Sequence, residues 1–347
     1  MNSFFIEYRD PLFSIILFFV IIFVITIFSY WWSRYKNKEE SLYLDNFVQQ
    51  FGVLPSKDEL RLLISKGELP EKSWLLLAGS YFKSGDYEKC IEIYNEMLRL
   101  GSSNAKETMF LLGKTYFKAG FLERARQIFL RILKKNPHTP QALHYLLLVN
   151  ESMRNYEAAL EILEPLEELG EDVRDERAYL KVLMILANKE LSSDEKTVQL
   201  LSTYAESHAL TYLIFEYLFS VNAAVAWKHF DYSKSELLGD IFWRLDAKIL
   251  DLDIISKNGY LRELYSARGD YNLENASSNF ELDVLIKLQG RASATLAFEY
   301  VCSHCKLAHP FVFHRCSHCH TIASARVESR LIKDYHKDFY EENNSFQ

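Results

Sequence analysis

Two stretches of this chain superpose at an offset of 35 residues: LAGSYFKSGDYEKCIEIYNEML from Leu77 and LGKTYFKAGFLERARQIFLRIL from Leu112. The match holds position by position. Tyr81, Gly85, Cys90 and Tyr94 correspond to Tyr116, Gly120, Ala125 and Phe129. Apolar residues recur at helical spacing in both copies. A unit this short cannot bury its apolar face alone, so its copies must stack on one another. The small residue lets the two helices of a pair approach, and the aromatic residues fill the space between pairs. A third copy starts near Thr139, with Leu146, Tyr156, Ala159 and Leu163 in register. Thr139 is placed to cap its first helix and Pro140 to occupy the first helical position. Only 12 Gly and 7 Pro in 347 residues agrees with long helices and short turns.

Trp74 lies three residues before Leu77, and Pro137 eight after Phe129. This spacing resembles the tetratricopeptide repeat, for which three copies are about the minimum. Beyond Gly170 the pattern weakens while helical periodicity persists. Ser192 with Glu195, and Ser233 with Glu236, have capping-box spacing, and Gly269-Asp270-Tyr271 repeats Gly85-Asp86-Tyr87. Residues 45–290 therefore read as continuous helical repeats, about six or seven pairs of roughly 34 residues. The fold class expected is all-α, a tetratricopeptide-type α-solenoid. Arrays of this kind bind segments of other proteins on their concave face, and Lys118, Asn150 and Arg154 are the candidate residues of such a client groove.

Residues Leu12 to Trp32 carry no charge over 21 positions. As a helix they would reach about 30 Å, the thickness of a bilayer's hydrocarbon core. Tyr30, Trp31 and Trp32 fit an interfacial belt, and Arg34, Lys36 and Lys38 follow. The positive-inside rule then predicts one transmembrane helix at 12–32, residues 1–11 outside, and a cytoplasmic body joined by a link at 33–44. A signal peptide would want a basic start and a small-residue cleavage site, and this segment has neither.

Four of the five cysteines form C-x2-C-x10-C-x2-C: Cys302, Cys305, Cys316 and Cys319. Each pair closes a tight turn that aims two thiolates at one point. The four are the expected ligands of a zinc ribbon or rubredoxin-like knuckle at 297–328, with iron as the competing occupant. A shell closed by four thiolates is structural rather than catalytic. Glycine often follows each C-x-x-C in such knuckles, but Lys306 and His320 stand there, and His304, His309, His314 and His318 lie close by. Cys90 falls on an apolar helix position and reads as core. Residues 329–347 read as a polar tail.

Anchor, repeats and terminal knuckle together resemble the lipopolysaccharide assembly protein B family of Gram-negative bacteria. The residues that carry this are Tyr300 two before the first knuckle cysteine, the ten-residue spacing, and Phe311 and Phe313 before the third. The resemblance implies a single-pass protein of the bacterial inner membrane with a periplasmic N-terminus. It implies a non-enzymatic adaptor that presents the lipid A pathway deacetylase to the protease FtsH and so regulates lipopolysaccharide synthesis. A general membrane scaffold with another client is the alternative. A nucleic-acid binder working through the ribbon is disfavoured by a net charge of −7. The chain has no nucleotide-binding or metalloprotease motif.

Overall fold

The computed structural model describes residues 18, 20–28, 62, 70–273, 277–288 and 294–333. Residues 18 and 20–28 are helical, and no helix among the described residues is long and apolar enough to cross a membrane. The rest of the predicted span at 12–32 lies outside the described residues. So do residues 1–11, the link at 33–44, nearly all of 45–69 and the tail from 334. The described chain is mostly helical and repeat-like, with a small sheet at its C-terminal end. It divides into two compact units, Met1–Met153 and Arg154–Gln347.

In the first unit the repeats appear as helix hairpins. Helices α1 (Glu71–Ser84) and α2 (Tyr87–Arg99) form one, α3 (Ala105–Lys118) and α4 (Leu122–Lys135) the next, and α5 (Pro140–Ser152) packs on α4. Each hairpin turns on a left-handed residue. Gly85 has φ 82° and Gly120 φ 81°, and both amides return to the preceding helix. The Asp86 side chain then accepts from the Lys89 amide and caps α2. Cys90, Ala125 and Phe129 are fully buried. Burial pushes the Cys90 thiol up, as expected of a core residue rather than a reactive one. Thr139 precedes α5 as expected, but its hydroxyl donates back to the Asn136 carbonyl rather than capping the helix.

The second unit departs from the predicted run of regular pairs. Helices α6 (Tyr156–Glu161), α7 (Leu163–Glu168), α8 (Arg174–Ala187) and α9 (Ser193–Glu206) still resemble repeats. The predicted box at the start of α9 forms in full, with Ser192 and Glu195 satisfying each other's amides. After it come shorter pieces: α10 (Thr211–Val221), α11 (Ala223–His229), a 3-10 stretch Tyr232–Leu238, α12 (Gly239–Arg244), α13 (Leu252–Lys257), α14 (Gly259–Arg268) and α15 (Phe280–Leu288). Ser233 makes no capping box. It donates to Asp231, which caps the 3-10 turn. Aromatic rings hold this unit together: Trp227 stacks on Phe242 at 5.3 Å, Phe219 meets both, and Phe230 meets Phe219 and Phe242.

The expected all-α class needs one correction. A three-stranded antiparallel sheet, order β2-β1-β3, is built from β1 (Ala294–Cys302), β2 (Ala308–His309) and β3 (Ala325–Lys333). Strand β3 pairs with the whole of β1, from Ala325 opposite Cys302 to Lys333 opposite Ala294. Residues 329–333, assigned to the tail on polarity, are thus strand. Their alternation RLIK with one half-buried face is what an edge strand shows.

Helices α3 and α4 approach closely at Gly113 of α3. A methyl group there would sit 2.9 Å from the Phe129 ring of α4. Gly113→Ala is expected to destabilise the chain by about 1–3 kcal/mol through overpacking, measured by urea denaturation. Gly79→Ala, where a methyl group meets nothing within 4 Å, is the matched control and should show no loss.

Candidate metal centre

The ends of the sheet bring the four knuckle cysteines together. Cys302 closes β1, Cys305 follows one turn later, and a returning loop supplies Cys316 and Cys319. All four sulfurs lie within 4.8 Å of one another. Cys302 and Cys319 are 3.6 Å apart, Cys305 and Cys316 3.7 Å. A tetrahedral ion bound at about 2.3 Å from each sulfur would separate them by about 3.8 Å. A disulfide would need about 2 Å, and all four cysteines are free thiols. The donor set and its spacing therefore fit one metal ion held by four thiolates. Zinc and iron both suit such ligands.

Both turns form without glycine. Lys306 and His320 each adopt φ 62°, the left-handed step that glycine takes most easily. Their amides donate to Cys302 O and Cys316 O at 2.9 Å, which repeats one turn twice. Side chains hold both steps in place: Lys306 Nζ donates to Ser303 O, and Arg315 donates to His320 O.

The sulfurs also meet polar groups. Ser324 Oγ is 3.4 Å from Cys302 Sγ, and Thr321 Oγ1 3.4 Å from Cys319 Sγ. Of the five nearby histidines, His309 on β2 places Nε2 3.7 Å from Cys316 Sγ. Burial works against a thiolate at Cys319, but Thr321 and the neighbouring thiols outweigh it and bring its pKa to about 5. At Cys305 the Leu307 amide favours the thiolate. Burial and proton sharing with the other three thiols override it and push the pKa up to about 12. A metal ion would displace that last proton.

The knuckle is docked on the helices of its own unit, at points the sequence did not reveal. Tyr300, two residues before Cys302, donates to Asp240 Oδ2 at 2.7 Å. Tyr212 of α10 donates to the same oxygen at 2.8 Å. Asp240 is 1% exposed. Gly239 beside it leaves the space where the Tyr260 hydroxyl sits. Burial and the Asp240 charge hold both phenols protonated, Tyr300 raised to about 12 and Tyr212 further. Arg315, just before Cys316, pairs with Glu176 of α8 and lies over the Tyr179 ring. His314 Nε2 is 3.2 Å from Glu216 Oε2 of α10.

The three candidates for a client groove fare differently. Asn150 is buried at 4% exposure. Counting 35 and then 34 residues, it occupies the position of Tyr81 and Tyr116, which are also buried. Lys118 sits in the last turn of α3 and is half-buried. Arg154 does border a groove, of about 600 Å³, with Lys181, Met184, Ile185, Gln199 and Glu206. The same count places Arg154 at the position of Gly85 and Gly120, and it keeps their left-handed step with φ 59°.

Residues 72–102 match the PPR repeat family and residues 107–139 the Tetratricopeptide repeat family. These are the α1–α2 and α3–α4 hairpins with their flanks. No curated protein matches the chain. Among solved structures, MamA 41-end from Desulfovibrio magneticus RS-1 is similar at 18% identity and TM-score 0.35, covering 46% of this chain and 89% of that one. A tetratricopeptide repeat protein from Parabacteroides merdae ATCC 43184 is similar at 13% identity and TM-score 0.35, covering 62% and 97%. A thermophilic TPR protein in Thermus thermophilus is similar at 17% identity and TM-score 0.29, covering 55% and 98%. The chain carries a PPR-type and a tetratricopeptide-type repeat, and the tetratricopeptide type implies a scaffold for protein–protein interaction.

Three outcomes follow for the centre. Tyr300→Phe leaves a buried carboxylate short of one donor and should cost about 1.5–3 kcal/mol, read as a lower urea midpoint. Stripping the zinc-loaded chain with a chelator should release one ion per chain and lower the melting temperature. Cys302→Ser with Cys305→Ser should melt at the stripped value with or without added zinc.

Proposed function

We propose that this chain is a membrane-anchored, non-enzymatic adaptor that binds client proteins through its helical repeats. In this reading residues 12–32 span the bacterial inner membrane and the body faces the cytoplasm. The client is the lipid A pathway deacetylase, presented to the protease FtsH, so that lipopolysaccharide synthesis is held in balance. The observation that carries the reading is the order of parts along one chain: an uncharged segment of membrane length, interaction repeats, and a four-thiolate knuckle docked on helices. The knuckle's part is structural. Its four cysteines would hold the ion, and a bound ion would fix the turns that aim Tyr300, His314 and Arg315 at α8, α10 and α12.

The test is the half-life of the deacetylase in cells. Depleting the adaptor should lengthen it. The wild-type chain should restore it, and the Cys302→Ser, Cys305→Ser chain should not. An unchanged half-life on depletion removes the deacetylase as client, and co-purification then becomes the way to find another.

A further inference from the structure

The second repeat carries a charge pattern that its fold does not require. Helix α4 presents Arg124, Gln127, Arg131, Lys134 and Lys135 to solvent, with exposed Leu130 beside them. At 100° per residue, Arg124, Arg131 and Lys135 fall within about 40° of one another, and Gln127 and Lys134 lie together about 40–60° to one side. The row is about 17 Å long at 1.5 Å per residue. Among the described residues, Arg131, Lys134 and Lys135 have no carboxylate partner, and Arg124 lies over the Tyr116 and Phe121 rings instead. The helix's one acid, Glu123, is held at the border by Arg126 and Gln127.

Helix α2 of the preceding repeat serves as an internal control. Thirty-five residues earlier, Gln127 and Arg131 correspond to Glu92 and Glu96, and Arg124 and Lys134 to Lys89 and Arg99. There each of the two cations is neutralised, Lys89 by Asp86 and Arg99 by Glu96. The same helix position thus folds with paired or acidic residues. The unpaired row on α4 answers to something outside the repeat.

We infer that the exposed face of α4 lies on the anionic phospholipid surface of the membrane. The row is straight and built of long cations with exposed Leu130 and Phe121 among them. Such a face suits a sheet of headgroups, and each Lys or Arg near an anionic leaflet adds to the attraction. The inference rests on the proposed anchor, which would tether the first unit to the bilayer and keep the local lipid concentration high.

The test uses the full chain reconstituted in vesicles of phosphatidylcholine alone, or with one quarter phosphatidylglycerol. Flotation at about 1 M salt, where surface attraction is screened, reports the anchor by itself. Acetylation rates of Lys134 and Lys135 at low salt, read by mass spectrometry, report the α4 face, with exposed Lys83 and Lys189 as references. The expected result is at least about threefold protection of Lys134 and Lys135 in anionic vesicles only. High salt should remove it, and so should Arg131→Glu, a surface change whose melting temperature is checked against wild type. Equal rates in neutral and anionic vesicles, or protection that survives high salt, overturn the inference.

Discussion

A charged carboxylate removed from water costs several kcal/mol unless donors replace its hydration. Asp240 meets this condition with hydroxyls from two distant parts of the second unit, Tyr212 on α10 and Tyr300 on β1. Much else in that unit depends on this arrangement. Both phenols must reach one oxygen, so the helix and the strand are held in place relative to α12. Tyr260 closes in over Gly239, where any side chain would block it. The other carboxylate oxygen has no partner among the described residues. The two tyrosine bonds therefore carry most of the compensation, which makes the node sensitive to losing either.

The docking residues and the metal ligands share backbone. Tyr300 is two residues from Cys302, and His314 and Arg315 run directly into Cys316. Any force that fixes the sulfurs also fixes the side chains that reach α8, α10 and α12. Linkage then runs both ways: an ion that binds only the folded knuckle stabilises the helices it docks on, and those helices raise affinity for the ion. A four-thiolate shell has no open position for substrate, so this coupling is the means by which the ion influences the rest of the unit.

The repeats were legible because their signal is positional. Tyr81, Gly85, Cys90 and Tyr94 set a frame that needs only counting, and the hairpins of the first unit follow it. The cysteine spacing was legible for the same reason. The docking contacts were not, since Tyr300 meets Asp240 across 60 residues and Arg315 meets Glu176 across 139, and no local pattern announces such a pair. The break-up of the later repeats had a signal of another kind. Asn222, Asp231, Asp246, Asp251 and Asn258 each cap a short helix through their own side chains. Apolar periodicity passes over such residues, whereas capping chemistry reads them as stops. The burial of Asn150 was hidden for a related reason. A polar residue on a helix reads as surface until the repeat count puts it where tyrosine stands.

Four residues with side chains take left-handed steps where glycine would be least strained: Lys306, His320, Ala323 and Arg154. Each costs about 1–2 kcal/mol relative to an unstrained backbone. In the knuckle the cost is offset locally, by the Lys306 bond to Ser303 and by Arg315 holding the His320 carbonyl. Arg154 has no such hydrogen bond among the described residues, and it begins the second unit. There the third copy also exchanges the repeat's tyrosine for Asn150 and its glycine for Arg154, four residues apart in one turn. Helices α8 and α9, of fourteen residues each, still follow this turn, and the run of short capped helices begins only at Asn222, so the loss of regularity follows the capping residues rather than this turn.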